Sequence, residues 1–587
     1  MILVENCAFV HYKELRLSDQ EFNYRKHSCW FRFINLEGRM SQLNLHGEKK
    51  IIVSLIMIVF VSLIFILDPR FFTNPPLRSD DWNMLIEPVV FDSITFFNFS
   101  DRRPFLLLLY AVLSPILQLR ISLYYAVNWL LILFSGLTVY KIIRDAFPKH
   151  RWLALPGALI FLIYPVNYAR TWLVISINTL AFLFGLLTIL LLVHYSRKGQ
   201  TWRIIMANLL ALISLGTYEA ALGIILIATV LLLIDRETPK KRRLWIFTIP
   251  VTIIIFLLWR LVIQPQFLAV TDFYLTNATV SLPTVIRRYG QGLFIFLYNW
   301  VGPLLNPLGD NKYWVFVICG TLLIVFLIVL VWRRIKVMGE IKDGLRAEKF
   351  GDAKALLRIS GIGLLFWAAG YIPVIFLWQP YFYGDGSRVN FGAIPGASLV
   401  IVALMGALFT ILFNDRNLVK KRVLIFVIPL VVAGMAYQVH AQNVRQRVWE
   451  VNQDFWGEMF ELVPGVVTGT KVVIVIPNYE NVGPFEMLPF RGDWEAESAL
   501  RVLYNNRELY AEYYYIDWTG APDNWQPIGG DLGRFVFVYY DPGLNETRIV
   551  QDPFEALNLP FPIENYDPDK GIIPFEQDMG EFRFLVE

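Results

Sequence analysis

A chain of 587 residues, 56% of them hydrophobic and 17% charged, carries more apolar surface than one soluble core can hide, so much of it must face lipid. The net charge of +4 is small, and the basic residues gather in short stretches between apolar runs, which argues against a nucleic-acid partner. The three cysteines, Cys7, Cys29 and Cys319, supply neither a disulfide framework nor a CxxC metal site.

In chain order, residues 1–50 read as a cytoplasmic leader that lacks the basic, apolar and small-residue succession of a signal peptide, with Met40 as an alternative start. Eleven spans are expected: 51–67, 121–140, 152–166, 171–193, 204–217, 219–234, 244–263, 313–332, 355–378, 393–413 and 423–440. An odd number puts the two ends on opposite sides. The loops then assigned inside (141–151, 194–203, 235–243, 333–354 and 414–422) hold 23 Lys or Arg in 61 residues. Those assigned outside (68–120, 167–170, 264–312 and 379–392) hold 10 in 120, which orients the chain with its N-terminus in the cytoplasm.

Two segments test that topology. Residues 104–119 are apolar but reach only about 24 Å as a helix, and counting them as a span would invert every later loop. They are read as lying along the outer interface. Residues 204–234 are too long for one crossing and have basic flanks at both ends, so they are read as two short spans hinged near Gly216-Thr217-Tyr218-Glu219. After His440 the composition turns polar and aromatic, with a helix expected over 444–462, strands over 471–476 and 534–540, and Pro/Gly/Asp turns between them. The expected fold is therefore a polytopic α-helical membrane domain over 51–440 and an extracytoplasmic α/β domain over 441–587.

The first outer loop concentrates the chemistry. It holds Arg78-Ser79-Asp80-Asp81-Trp82, then Glu87, Asp92, Asp101, Arg102 and Arg103. Adjacent carboxylates raise one another's pKa and are costly unless a proton-transfer task or a cation uses them. One can serve as general base for a hydroxyl while the other orients or binds a cation. The alternative is a helix cap, in which Ser79 or Asp80 accepts from the free N–H groups of the next turn. Spacing alone leaves both readings open.

The long first loop, Asp80-Asp81-Trp82 after span one, Arg103-Pro104 opening an amphipathic segment, and the basic loop after span two together resemble the GT-C superfamily of membrane glycosyltransferases. That superfamily includes the protein O-mannosyltransferases and the lipid A aminoarabinose transferase. The resemblance covers roughly 51–440, and its sharp motif is the acidic pair. It implies that Asp80 or Asp81 deprotonates an acceptor hydroxyl for inverting attack on a sugar whose leaving group is a polyprenyl phosphate. The implied partners are that lipid-linked donor and an acceptor glycan, lipid or protein. The implied setting is a bacterial inner membrane. A divalent cation at Asp81 is left open, since some relatives use one and others do not.

For the departing phosphate, the candidates are arginines the topology leaves outside: Arg388 first, then Arg103, Arg102 and Arg170, with Arg260, Arg287 and Arg288 less favoured. Arg388 lies in Tyr383-Gly384-Asp385-Gly386-Ser387-Arg388-Val389-Asn390, and its alternative is a loop arginine paired with Asp385. Glu219 joins the acids, either in a polar cavity or at the wet tip of a hairpin. Trp82 is a candidate for stacking on sugar or lipid, although aromatic belts at bilayer interfaces produce the same pattern. His150, His194 and His440 are isolated, without zinc spacing. A transporter or lipid-carrier flippase is the alternative function, but no half-repeat is visible and the charges cluster in outer loops.

Overall fold

The computed structural model of the chain describes residues 73–77, 80–94, 103–166, 168–266, 280–300, 343–376, 378–381, 385–413, 415–477, 493–516, 535–541, 546–549 and 572–573. The leader and the expected spans 51–67 and 313–332 lie outside them. Among the described residues, five helices are long and apolar enough to cross a bilayer, and the chain is a membrane protein.

After two helical turns at Trp82–Ile86 and Glu87–Val90, the helices are α1 (Leu108–Leu117), α2 (Ile121–Ala146), α3 (Ala154–Ile163), α4 (Ile175–Lys198), α5 (Thr201–Thr217), α6 (Leu222–Ile234), α7 (Lys240–Ile263), α8 (Leu282–Tyr298), α9 (Asp343–Ile375), α10 (Ile394–Leu412) and α11 (Arg416–Leu462). Local chemistry sets several of these ends. Gly199 closes α4 in the left-handed region at φ 69°, where its N–H reaches the Tyr195 carbonyl. Asp415 starts α11 by accepting from the Asn417 N–H at 2.8 Å.

The segment 104–119 yields only the ten-residue α1, roughly 15 Å long with Pro115 inside it, too short to cross. The proposed hinge after α5 is present. Tyr218 is extended (φ −162°, ψ 131°), and a turn at Glu219–Ala221 leads into α6. Beyond it, α6 presses so closely on α9 that a Cβ at Gly223 would overlap the Ala369 carbonyl, the small-residue contact by which membrane helices approach.

Three expectations are corrected. The expected span 152–166 has a shorter α-helical part than expected: the ten-residue α3 follows a 3-10 turn at Pro148–Leu153 and is nearly all buried against its neighbours. The segment 264–312, expected to be an outer loop, contains α8, whose apolar residues are interrupted by Arg287, Arg288 and Gln291 and so make no continuous hydrophobic run. It packs antiparallel to α9: the Arg288 guanidinium donates to the Ile375 carbonyl at 2.6 Å and Tyr289 to that of Ala368 at 3.1 Å. Finally, span eleven and the helix expected over 444–462 are one 47-residue helix, α11, about 70 Å long.

Beyond α11 the strands are β1 (Gly465–Val466), β2 (Lys471–Pro477), β3 (Tyr510–Ile516), β4 (Phe535–Asp541), β5 (Glu546–Ile549) and β6 (Ile572–Ile573), with helix α12 at Asp493–Leu503. The larger sheet has the order β3-β2-β4-β5. In it β2 is parallel to both β3 and β4, and β5 is antiparallel to β4. The parallel pair β2 and β3 needs a crossover, which α12 supplies. The run Val472 to Ile476 is buried throughout, as a central strand covered on both faces must be.

The segment that follows the first expected span is part of this core. Trp82, Leu85 and Ile86 share one buried cluster with Trp449 and Trp456 of α11, Leu500 and Leu503 of α12, and the sheet. Arg501 lies 3.5 Å from Glu87, and Arg507 donates to the Phe91 carbonyl.

Candidate active site

The acidic pair sits where the first loop meets the N-terminal ends of α2 and α4. Tyr125 of α2 donates to the Pro76 carbonyl at 2.5 Å, and Asn74 both accepts from Trp449 at 2.7 Å and donates to Gln453 at 2.8 Å. These bonds fix the loop just before the pair. Asp81 is fully buried, and its Oδ1 accepts from the Val174 N–H at 2.7 Å. Val174 immediately precedes α4, so the carboxylate satisfies an otherwise orphaned donor at the positive end of that helix. The turn that Asp81 itself precedes has no side-chain cap bond. A capping carboxylate is thus present, but it serves a helix 93 residues away, which local sequence could not show.

Asp80 has a different neighbour. Its Oδ2 lies 3.6 Å from Nη1 of Arg388, brought in by the 3-10 segment Asp385–Ala393. The expected alternative partner for Arg388 was Asp385; the structure pairs it with Asp80. That segment is held in place by Ser387, which accepts from the Ala169 N–H at 3.0 Å. Asn390 also holds it, accepting from Tyr371 and donating to the Val166 and Tyr381 carbonyls at 2.8–2.9 Å. The Arg388 guanidinium lies 5.8 Å from the Trp172 ring, and that of Arg445, from α11, lies 5.5 Å from the same ring. Trp172 and Arg445 are buried, whereas Arg388 retains 34% side-chain exposure. Tyr110 completes the wall, its hydroxyl 3.2 Å from both the Leu173 carbonyl and Ser176. Burial first, and then the Asp81 carboxylate, push its phenol well above the ordinary value.

A second ionic group forms at the α5–α6 hinge. Glu219 lies 3.0 Å from Arg103 and 3.6 Å from Arg260, and the Arg103 guanidinium stacks 4.3 Å from the Tyr218 ring. The Phe105 N–H also donates to the Gly216 carbonyl at 3.0 Å. Arg103 and Glu219 therefore dock the start of the α1 segment on the hinge.

The other candidates are placed otherwise. Arg170 is buried against the Phe161 and Phe391 rings and donates to the Leu162 carbonyl, and burial pulls its pKa down to about 10. Trp82 is fully buried in the core cluster it shares with residues of α11, α12 and the sheet, so no ring face is open to a sugar or lipid. Arg102 lies outside the described residues. Among the described residues no three His, Cys, Asp or Glu side chains converge as metal ligands, and Asp80 and Asp81 turn to different partners, so no step is assigned to a cation. Trp172 and Arg445 were not foreseen, since Arg445 follows a span in sequence and reaches the site only because α11 continues unbroken. A cavity of about 720 Å³ lies elsewhere, its apolar shaft rimmed by Arg197, Asp235, Glu237 and Arg242 at the basic ends of the helices, and none of the candidate site residues lines it.

Residues 70–344 match the family model described as glucosyl transferase GtrII. The chain resembles the GT-C membrane glycosyltransferases. The matched stretch carries Asp80, Asp81, Arg103, Arg170 and Glu219, while Arg388 and α11 lie beyond it. The crystal structure of ArnT from Cupriavidus metallidurans bound to undecaprenyl phosphate aligns over 75% of this chain and 87% of that chain, at 10% identity and a TM-score of 0.30. No curated protein matches the chain.

Proposed function

We propose that this membrane glycosyltransferase moves a sugar from a polyprenyl-phosphate carrier to an acceptor hydroxyl on the outer face of the membrane, with inversion. The observation that carries this reading is the meeting of Asp80 and Arg388, 308 positions apart in sequence and 3.6 Å apart in space. A pair this exposed contributes only about 0.2–1 kcal/mol to stability, too little to account for the scaffold of hydrogen bonds that holds both segments. What the pair supplies is chemistry. The Asp80 carboxylate takes the acceptor proton as the acceptor oxygen bonds to the anomeric carbon. The bond from that carbon to the phosphate oxygen breaks, its electrons leave with the carrier phosphate, and the planar Arg388 fork matches the growing charge. Asp81, committed to the Val174 N–H, positions the loop. The outer location rests on the charge asymmetry of the loops.

The test is transfer by purified protein in lipid vesicles containing undecaprenyl-phosphate glucose, chosen because of the glucosyl transferase match. Asp80→Asn is expected to lower turnover by about 10²–10⁴-fold and Arg388→Ala to lower it further than it weakens carrier binding. Undiminished transfer by Asp80→Asn would sink the assignment.

A further inference from the structure

The helix α11 carries a row of glutamines that the ion pair does not use. Contacts at both ends place this row beside the site. Gly434 packs directly on the Ile163 carbonyl, Arg445 lies over Trp172, and Trp449 donates to Asn74. Between these points, Gln438, Gln442 and Gln446 follow at intervals of four and so share one helix face. They are only 1%, 2% and 1% exposed. Both amide atoms of Gln438 and the Oε1 atoms of Gln442 and Gln446 are buried without a hydrogen-bond partner. Such atoms destabilise a fold, and leucine would fill the same volume without that cost. The segment 168–171, which α11 packs against, adds more: Arg170 Nε and Nη2, and Oδ1 of Asn128, whose amide nitrogen is bonded to the Arg170 carbonyl.

The mixture decides the ligand class. An ionised phosphate only accepts and so could meet the Arg170 donors but supplies no proton to the three buried glutamine oxygens. A sugar hydroxyl donates and accepts at once and suits a face that offers both. We infer that the Gln438–Gln446 face of α11 is the subsite that recognises the hydroxyl groups of the transferred sugar, beside the Asp80–Arg388 pair. This rests on the transferase reading and adds to it the surface that distinguishes a charged carrier from a bare one.

The experiment measures binding of undecaprenyl-phosphate glucose and of bare undecaprenyl phosphate to the full-length protein, with its thermal unfolding midpoint. Gln438→Leu and Gln442→Leu are expected to weaken the glucose-bearing lipid by about tenfold and leave the bare lipid unchanged, while raising the unfolding midpoint of the ligand-free protein. Gln442→Asn, which keeps the amide but shortens its reach, is expected to show the same selective loss at an unchanged midpoint. Equal effects on both lipids, or none on either, overturn the subsite and leave the transferase reading standing. If the unaltered protein binds neither lipid, the transferase reading itself falls and the subsite with it.

Discussion

Asp80 and Asp81 are neighbours in sequence with opposite environments, and this difference makes their roles separable. The Asp81 carboxylate is fully buried and bonded to a backbone donor, so removing its acceptor leaves the Val174 N–H unsatisfied, at a cost of about 1–3 kcal/mol. Asparagine keeps an acceptor at Oδ1. Asp81→Asn should therefore unfold close to the unaltered protein and Asp81→Leu clearly below it, as a thermal melt in detergent would read. If the two melt alike, Asp81 is not an anchor. Asp80, with an arginine 3.6 Å away and part of its surface open, is assigned the proton transfer, and its replacement should be felt in transfer more than in stability.

At the scale of elements, the α5–α6 hinge combines two interactions of unequal weight. The Glu219 pairs with Arg103 and Arg260 are partly exposed, so Glu219→Gln should shift stability by less than about 1 kcal/mol. The close approach of α6 to α9 is less forgiving, because a side chain at Gly223 meets the Ala369 backbone, which cannot swing aside. Gly223→Val is expected to destabilise by about 1–3 kcal/mol or more. Comparing the unfolding midpoints of the two variants checks the order, and a larger loss with Glu219→Gln would show that the ion pairs rather than the helix contact set the hinge.

For the whole molecule, sidedness is the claim on which the outer active site depends. In a chain with Cys7, Cys29 and Cys319 replaced by serine, single cysteines at the exposed positions Ser93 and Arg236 should separate cleanly. Ser93→Cys should react with an impermeant thiol reagent in intact cells, and Arg236→Cys only after lysis. The reverse pattern would invert the topology and move the proposed chemistry to the cytoplasm.

Much of the architecture was legible from composition, because lipid imposes a length and a polarity on every crossing segment. The hinge at Tyr218, the inability of 104–119 to cross and the α/β character of the last part all follow from local rules of that kind. Elements that mix polar and apolar residues were harder to read: α8 sets Arg287, Arg288 and Gln291 among apolar residues, and α11 continues unbroken from apolar into polar sequence. The candidate site divides in the same way. The adjacent carboxylates together with the family resemblance singled out Asp80 and Asp81, loop sidedness singled out Arg388, and the cost of a carboxylate in apolar sequence singled out Glu219. That Asp80 meets Arg388, that Asp81 caps α4, that Trp82 is core, and that Trp172, Arg445 and the glutamine row stand beside them was decided only by tertiary structure. Hydrogen bonds and stacking join segments separated by up to hundreds of residues, and no local periodicity records which donor will find which acceptor.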